Sequence, residues 1–149
     1  NKLSGKVVYY MYVDETMTFD EYWLDERFRS KRPRMDASRK FASGDNIYHR
    51  SGGVWVQENS LHSREDGSPN SEHVAKDTAV DRVLAGANFC YWGGDGPSIP
   101  AELSETHYQD PWYSGRGTRN SFEPEFVERL SDWLTGFEER GYVGRPAGW

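Results

Sequence analysis

Apolar and aromatic side chains run almost unbroken from Val7 to Val13. A stretch this flat in hydrophobicity and this rich in β-branched and aromatic residues predicts a well-buried strand over 6–13. Polarity then rises, and Thr18 stands three residues ahead of Glu21. That spacing is a capping box: hydroxyl and carboxylate each satisfy a free backbone amide at a helix start. The helix it opens should place Phe19, Tyr22, Trp23 and the stem of Arg27 on one face and end near Phe28. Residues 30–43 are basic, aperiodic and contain one proline, so they predict a loop. Strands are expected over 46–49 and 54–57, joined as a hairpin through Ser51, Gly52 and Gly53, with Trp55 facing away from Val54 and Val56. Residues 59–77 are polar with turn chemistry from Asp66 to Asn70, which predicts a long loop of the kind that carries function. Strands over 81–85 and 88–92, separated by Gly86, lead into a tight glycine-rich turn at 93–97. A last helix is expected over 123–140, with Pro124 at an early position, acids in its first turns and Gly141 just past its end. Phe126, Leu130, Trp133, Leu134 and Phe137 recur on its core face.

Composition changes the picture of the interior. The 149 residues predict one domain with room for a core. The six Trp, nine Tyr and seven Phe together outnumber Leu, Ile and Val. Rings should therefore dominate the buried contacts, and each Tyr or Trp brings a polar atom that needs a partner. One or two exposed rings could serve as a stacking face for a base. Cys90 is alone, so no internal disulfide forms, and it reads as a small buried hydrophobe. No apolar run nears the roughly 20 residues that cross a bilayer, and no signal-peptide pattern is present. A cytoplasmic protein is expected. The chain opens at Asn1 with a strand almost at once, which reads as an excised or processed piece of a longer polypeptide.

Charge is distributed unevenly. Residues 27–50 hold eight basic side chains (Arg27, Arg29, Lys31, Arg32, Arg34, Arg39, Lys40, Arg50) against Asp36 and Asp45, so 8 − 2 = +6 in a chain of net charge −6. Such a concentration implies a local anionic partner. Indiscriminate duplex binding needs a broad positive potential, so a small phosphate-bearing ligand, or a single-stranded or extruded nucleotide, fits better.

The catalytic signatures with fixed spacing are absent: no phosphate-binding loop, no Gly-x-Ser-x-Gly elbow and no His-Glu-x-x-His. Four histidines occur, His49, His62, His73 and His107. The lone cysteine offers no thiolate pair, and neither a metal site nor a cofactor is expected. His49 and His62 can serve as hydrogen-bonding groups toward a base or phosphate, or as structural residues of a loop.

Several blocks resemble one known family. They are Gly44-Asp45-Asn46-Ile47-Tyr48-His49, Trp55-Val56-Gln57, His62-Ser63 with Asp66-Gly67 and Asn70, and Asp77-Thr78 with Asp81-Arg82-Val83-Leu84. Phe89 with Tyr91-Trp92-Gly93-Gly94 and Pro97 completes the set, and residues 18–23 and the last helix also fit. Together they are similar to the nucleotide modification associated domain 2 family of bacteria and phages, across nearly the whole chain. The resemblance implies a place in systems that modify DNA bases or handle modified ones. Family members usually carry a further strand-rich leading segment, which this chain lacks before Asn1. The complete domain resembles small β-barrels that read modified bases.

The resulting expectation is an α+β domain with a curved, partly barrel-like mixed sheet flanked by helices at about 18–28 and 123–140. Its leading role is that of a non-catalytic binder of a nucleotide or modified DNA base in modification or phage-defence systems. Arg32, Arg34, Arg39 and Lys40 would hold phosphate. Asn46, Tyr48, His49 and Gln57 would meet the base, and His62, Asp66 and Asn70 would close the pocket. One rival is an enzyme with His49 or His62 as general base and Asp66 or Asp77 as its orienting partner. The other is a protein-interaction module.

Overall fold

The computed structural model describes residues 5–104 and 121–145. Its elements in chain order are β1 (Tyr9–Met11), β2 (Glu15–Met17), α1 (Phe19–Leu24), α2 (Arg39–Ala42), β3 (Tyr48–Ser51) and β4 (Val54–Gln57). There follow α3 (Ser71–Asp77), β5 (Val83–Ala85), β6 (Phe89–Tyr91), α4 (Ala101–Ser104), α5 (Pro124–Thr135) and β7 (Gly141–Tyr142), with 3-10 turns at Glu26–Lys31 and Gly93–Asp95. The class is α+β. In place of one curved sheet, the described strands form three separate ladders of three, two and two strands, and none closes into a barrel. Strands of two to four residues are too short to wrap a closed sheet. No helix among the described residues is long and apolar enough to cross a membrane. The contacts divide the chain into two compact units, Asp14–Ala85 and the two segments Asn1–Val13 and Gly86–Trp149.

In the unit built from the two outer segments, β6 lies between antiparallel β1 and parallel β7. Only Tyr9–Met11 of the expected 6–13 strand joins this ladder, while Lys6 makes a single bridge to Ser98. Strand alternation turns Tyr10 and Cys90 to one face, where they form a core with Trp92, and Leu134 and Phe137 pack against them. Burial pushes the Cys90 thiol above its ordinary value, away from thiolate chemistry. The opposite face carries Tyr9 and, through ring contacts from Phe89 and Tyr91, Tyr142; Tyr9 and Tyr142 are the exposed rings there.

Helix α5 has Pro124 at its start, as expected, but stops at Thr135 rather than near Arg140. Gly136 lies at the break, and Phe137 leaves the helical path to meet Trp92 edge-on at 5.2 Å. The guanidinium of Arg140 folds back to donate to the carbonyls of Thr135, Phe137 and Glu139, replacing donors that a continued helix would have supplied. Gly141 is no helix stop: it opens β7 with φ +74°.

In the Asp14–Ala85 unit, the Thr18–Glu21 capping box forms in full, with the Thr18 amide 2.7 Å from the Glu21 carboxylate and the Glu21 amide 3.2 Å from the Thr18 hydroxyl. α1 then ends at Leu24, short of Phe28, because the Asp25 side chain accepts from the Arg27 amide and starts the 3-10 turn. The hairpin β3–β4 forms with the register Tyr48↔Gln57, His49↔Val56, Arg50↔Trp55. Gly52 (φ +58°) and Gly53 (φ +81°) supply the left-handed pair that a two-residue turn of this hand requires.

Two segments expected as loops hold short helices. Residues 30–43 contain α2, anchored by buried Ala42. Residues 59–77 contain α3, started by the Asn70 side chain, which accepts from the amides of Glu72 and His73. No residue of α3 is buried, so it leaves no apolar period for a sequence reading to find.

Candidate functional site

The glycine-led motif acts first as an anchor for the basic segment. Gly44 lies so close to the backbone of Lys31, Arg32 and Pro33 that a Cβ would stand 2.3 Å from the Lys31 carbonyl oxygen. The Asn46 amide donates to that carbonyl at 3.1 Å. The Asn46 side chain, fully buried, donates through Nδ2 to the carbonyls of Tyr22 (3.0 Å) and Phe28 (3.3 Å). Asp45 accepts from the Tyr22 hydroxyl at 2.9 Å. Burial and the neighbouring carboxylate raise the Tyr22 phenol above its ordinary value, so it stays a donor. Asn46, expected to meet the base, is thus committed beneath the site.

The charge count along the chain overstates the free positive charge in space. Arg27 is held by Glu15 and Asp25, and Arg29 by Glu26. Arg50 lies over the Trp55 ring at 3.9 Å and pairs with Asp20 (3.1 Å) and Asp81 (2.8 Å). Asp81 also accepts from the Phe19 amide, the first of α1. That amide, followed by Arg50, holds the Asp81 carboxyl below its usual range. A lowered carboxyl pKa contributes stability above the unfolded value of about 3.9, and that contribution disappears as pH falls toward the folded value. Asp81→Asn should therefore lower stability at neutral pH and flatten the acid limb just below about pH 3.9, read by urea melts at stepped pH. An acid limb unchanged by the substitution would refute this assignment.

Arg32 and Arg34 meet at an open cleft of about 460 Å³, lined also by Trp23, Pro33, Met35, Asp36, Glu58 and Asn59. The Arg32 guanidinium lies 3.7 Å from the Trp23 ring centre and donates to the Trp23 carbonyl, while its Nε–H is buried without a partner. His49 stacks on the same indole, with centres 4.2 Å apart and planes at 22°. The His49 Nε2 lies 2.9 Å from Glu58 Oε1. Arg34 makes a loose pair with Asp36 at 3.7 Å. The site therefore combines an indole, two guanidinium groups and two carboxylates in one concavity.

Alternation on β3 sends Tyr48 to the other side of the hairpin from His49. There the Tyr48 hydroxyl donates to Asp77 Oδ2 at 2.7 Å and accepts from Gln57 Nε2 at 3.2 Å. Burial, then the bond to Asp77, pushes its phenol above the ordinary range. Gln57 also donates to the His62 carbonyl and accepts from the Asn70 amide. His62 Nδ1 lies 3.6 Å from Asp77 Oδ2, and the His73 ring is edge-on to His62 at 5.6 Å.

The predicted site residues thus divide into several groups. Arg32 and Arg34 line the cleft and His49 backs it, whereas Tyr48, Gln57, His62, Asn70 and Asp77 gather on the hairpin's other face. Arg39 and Lys40 lie exposed on α2 and line no part of the cleft. Asp66 is turned into its own loop, accepting from the Ser68 hydroxyl (2.6 Å) and amide (2.9 Å), which lower its carboxyl pKa. His107 lies outside the described residues. Trp23, Glu58 and Asn59 were not expected in a site. Only the strand period hinted at Glu58, since the residue after Gln57 emerges on the His49 side. Among the described residues, no group of three or more His, Cys, Asp or Glu could hold a metal ion.

Compared with known proteins, residues 1–149 match the family model of nucleotide modification associated domain 2. No curated protein and no solved structure matches the chain.

Proposed function

Because the chain belongs to the nucleotide modification associated domain 2 family, we propose that its Asp14–Ala85 unit binds a nucleotide or modified base in the service of DNA base modification or phage defence. The cleft at Trp23 carries this reading. Its volume of about 460 Å³ falls within the roughly 300–1,000 Å³ of small-molecule sites. Arg32 and Arg34 offer planar, multiply donating cations for phosphate. With Arg32 and His49 lying over the Trp23 indole, Pro33, Met35 and the indole edge offer apolar surface for a base, and Glu58 and Asn59 offer groups for its edge. The cationic surface is local, so the ligand is a free nucleotide, or a base in single-stranded or extruded DNA, rather than duplex backbone.

The test is a thermal-shift screen of ordinary and modified nucleotides at two salt concentrations. A ligand at a hundred times its Kd should add about 2.7 kcal/mol of stability. Arg32→Lys keeps the charge but loses the flat stack on Trp23, and should weaken binding about tenfold. If no nucleotide raises Tm, the reading is wrong.

One observation favours a second reading, acid–base chemistry. His62 Nδ1 lies 3.6 Å from the Asp77 carboxylate, longer than a hydrogen bond, so a bound substrate would have to draw the two together. That carboxylate is itself fixed by Tyr48, and His62 Nε2 has no partner among the described residues. A histidine oriented by a carboxylate with its other nitrogen free is the arrangement of a general base. Under that reading His62→Ala abolishes conversion of a nucleotide and spares its affinity.

A further inference from the structure

The carboxylate in the cleft narrows the ligand class, given the binding role just proposed. Glu58 follows the last residue of β4, and alternation brings its side chain to the His49 side. One oxygen, Oε1, takes one hydrogen bond from the His49 Nε2 position at 2.9 Å and keeps a second lone pair for a ligand donor, and His49 is largely buried and fixed by its stack on Trp23. The other oxygen, Oε2, has no partner among the described residues, and the side chain keeps 42% of its exposure. Glu58 does not pair with the cleft arginines. Arg32 instead bonds the Trp23 carbonyl, and Arg34 leans to Asp36. The cleft therefore keeps an anionic group and cationic groups apart, and a ligand matching it has phosphate for the cations and N–H donors for the carboxylate.

An ionised carboxylate accepts hydrogen bonds and donates none. A base edge facing it must present donors, because carbonyl oxygens or ring lone pairs there are repelled and left unpaired. Adenine and cytosine each offer one amino group beside a ring acceptor. Thymine and uracil offer one N–H between two carbonyls. Guanine alone among the ordinary bases places two donors side by side, N1–H and the 2-amino group. Its O6 then needs a donor, which the neighbouring Asn59 amide, also lining the cleft, can supply. We propose that the cleft recognises guanine, or a modified base that keeps guanine's Watson–Crick edge, through Glu58.

The experiment titrates the protein calorimetrically with GMP, IMP, XMP, AMP and CMP, and repeats the series with Glu58→Gln. IMP lacks only the 2-amino group, so it should bind about tenfold more weakly than GMP to the unmodified chain. Glu58→Gln replaces one acceptor by a donor: it should weaken GMP and strengthen XMP, whose C2 carbonyl accepts from the new amide. Equal affinities for GMP and IMP, or GMP binding indifferent to Glu58→Gln, would overturn the guanine assignment and leave the nucleotide reading standing. Binding of none of the five, nor of any nucleotide in the thermal screen, would remove both. The comparison of GMP with IMP needs no variant, so it stands even if Glu58→Gln folds poorly.

Discussion

Replacing Gly44 by alanine should cost the Asp14–Ala85 unit several kcal/mol on the scale of severe overpacking, about 3 kcal/mol. The added Cβ would stand 2.3 Å from the Lys31 oxygen, 2.7 Å from the Pro33 nitrogen and 2.9 Å from the Arg32 carbonyl carbon. All three are backbone atoms, so no side-chain rotation relieves the overlap. The segment that carries Arg32 must move outward. That motion stretches the Asn46 amide bond to Lys31 and lifts Arg32 from Trp23. Urea unfolding should show the lower midpoint, and tryptophan emission of the folded variant should change because the guanidinium no longer covers the indole. If Gly44→Ala unfolds at the same urea concentration as the parent chain, the close approach of these two segments is not real.

The same residues explain how much of the site the sequence could reveal. Local signals were readable where one backbone group is satisfied by a neighbour three or four residues away. The Thr18–Glu21 box and the Gly52–Gly53 turn are of this kind, and both formed where expected. Signals that depend on a distant partner were not. The motif around Gly44, Asn46 and Tyr48 looked like one polar surface ready for a ligand. Its residues in fact alternate in direction and in duty: Gly44 and Asn46 hold the basic segment, Tyr48 turns to Asp77, and His49 turns to Trp23.

Charge behaved in the same way. The excess over 27–50 is real along the chain, yet Arg27 pairs with Glu15 and Asp25 and Arg50 with Asp20 and Asp81, all outside that segment. What the cleft itself holds is a smaller cationic feature, Arg32 and Arg34. The helical spacing of Trp23 with Phe19 and Tyr22 is that of a core face. Spacing cannot tell a ring packed on aliphatic groups from one that forms the wall of a cleft.

Asn46→Ala should also be strongly destabilising, costing roughly 2–3 kcal/mol in urea melts. The residue is fully buried, and its Oδ1 has no partner, so its contribution runs through its nitrogens. Nδ2 serves the Tyr22 carbonyl, near the end of α1, and the Phe28 carbonyl in the 3-10 turn. The Tyr22 acceptor falls where the ladder of α1 has run out, so no later amide of that helix replaces the lost donor, whereas the Phe28 carbonyl lies inside the 3-10 turn, which continues to Lys31. Alanine leaves two carbonyls without that donor. Asn46→Asp separates this account from one of simple side-chain volume. Aspartate fills the same space but turns an acceptor, charged at neutral pH, toward two carbonyl oxygens, so it should be worse than alanine at pH 7. The sign with pH follows. Burial among acceptors raises the carboxyl's folded pKa, so its protonated form contributes stability that is fully present below the unfolded value of about 3.9 and is lost as pH rises through the folded one. Asn46→Asp should accordingly approach the parent chain as pH falls, because the protonated acid can again donate. An aspartate variant as stable as the parent chain at pH 7, or one that gains nothing relative to it in acid, would show that Nδ2 does not hold these two carbonyls.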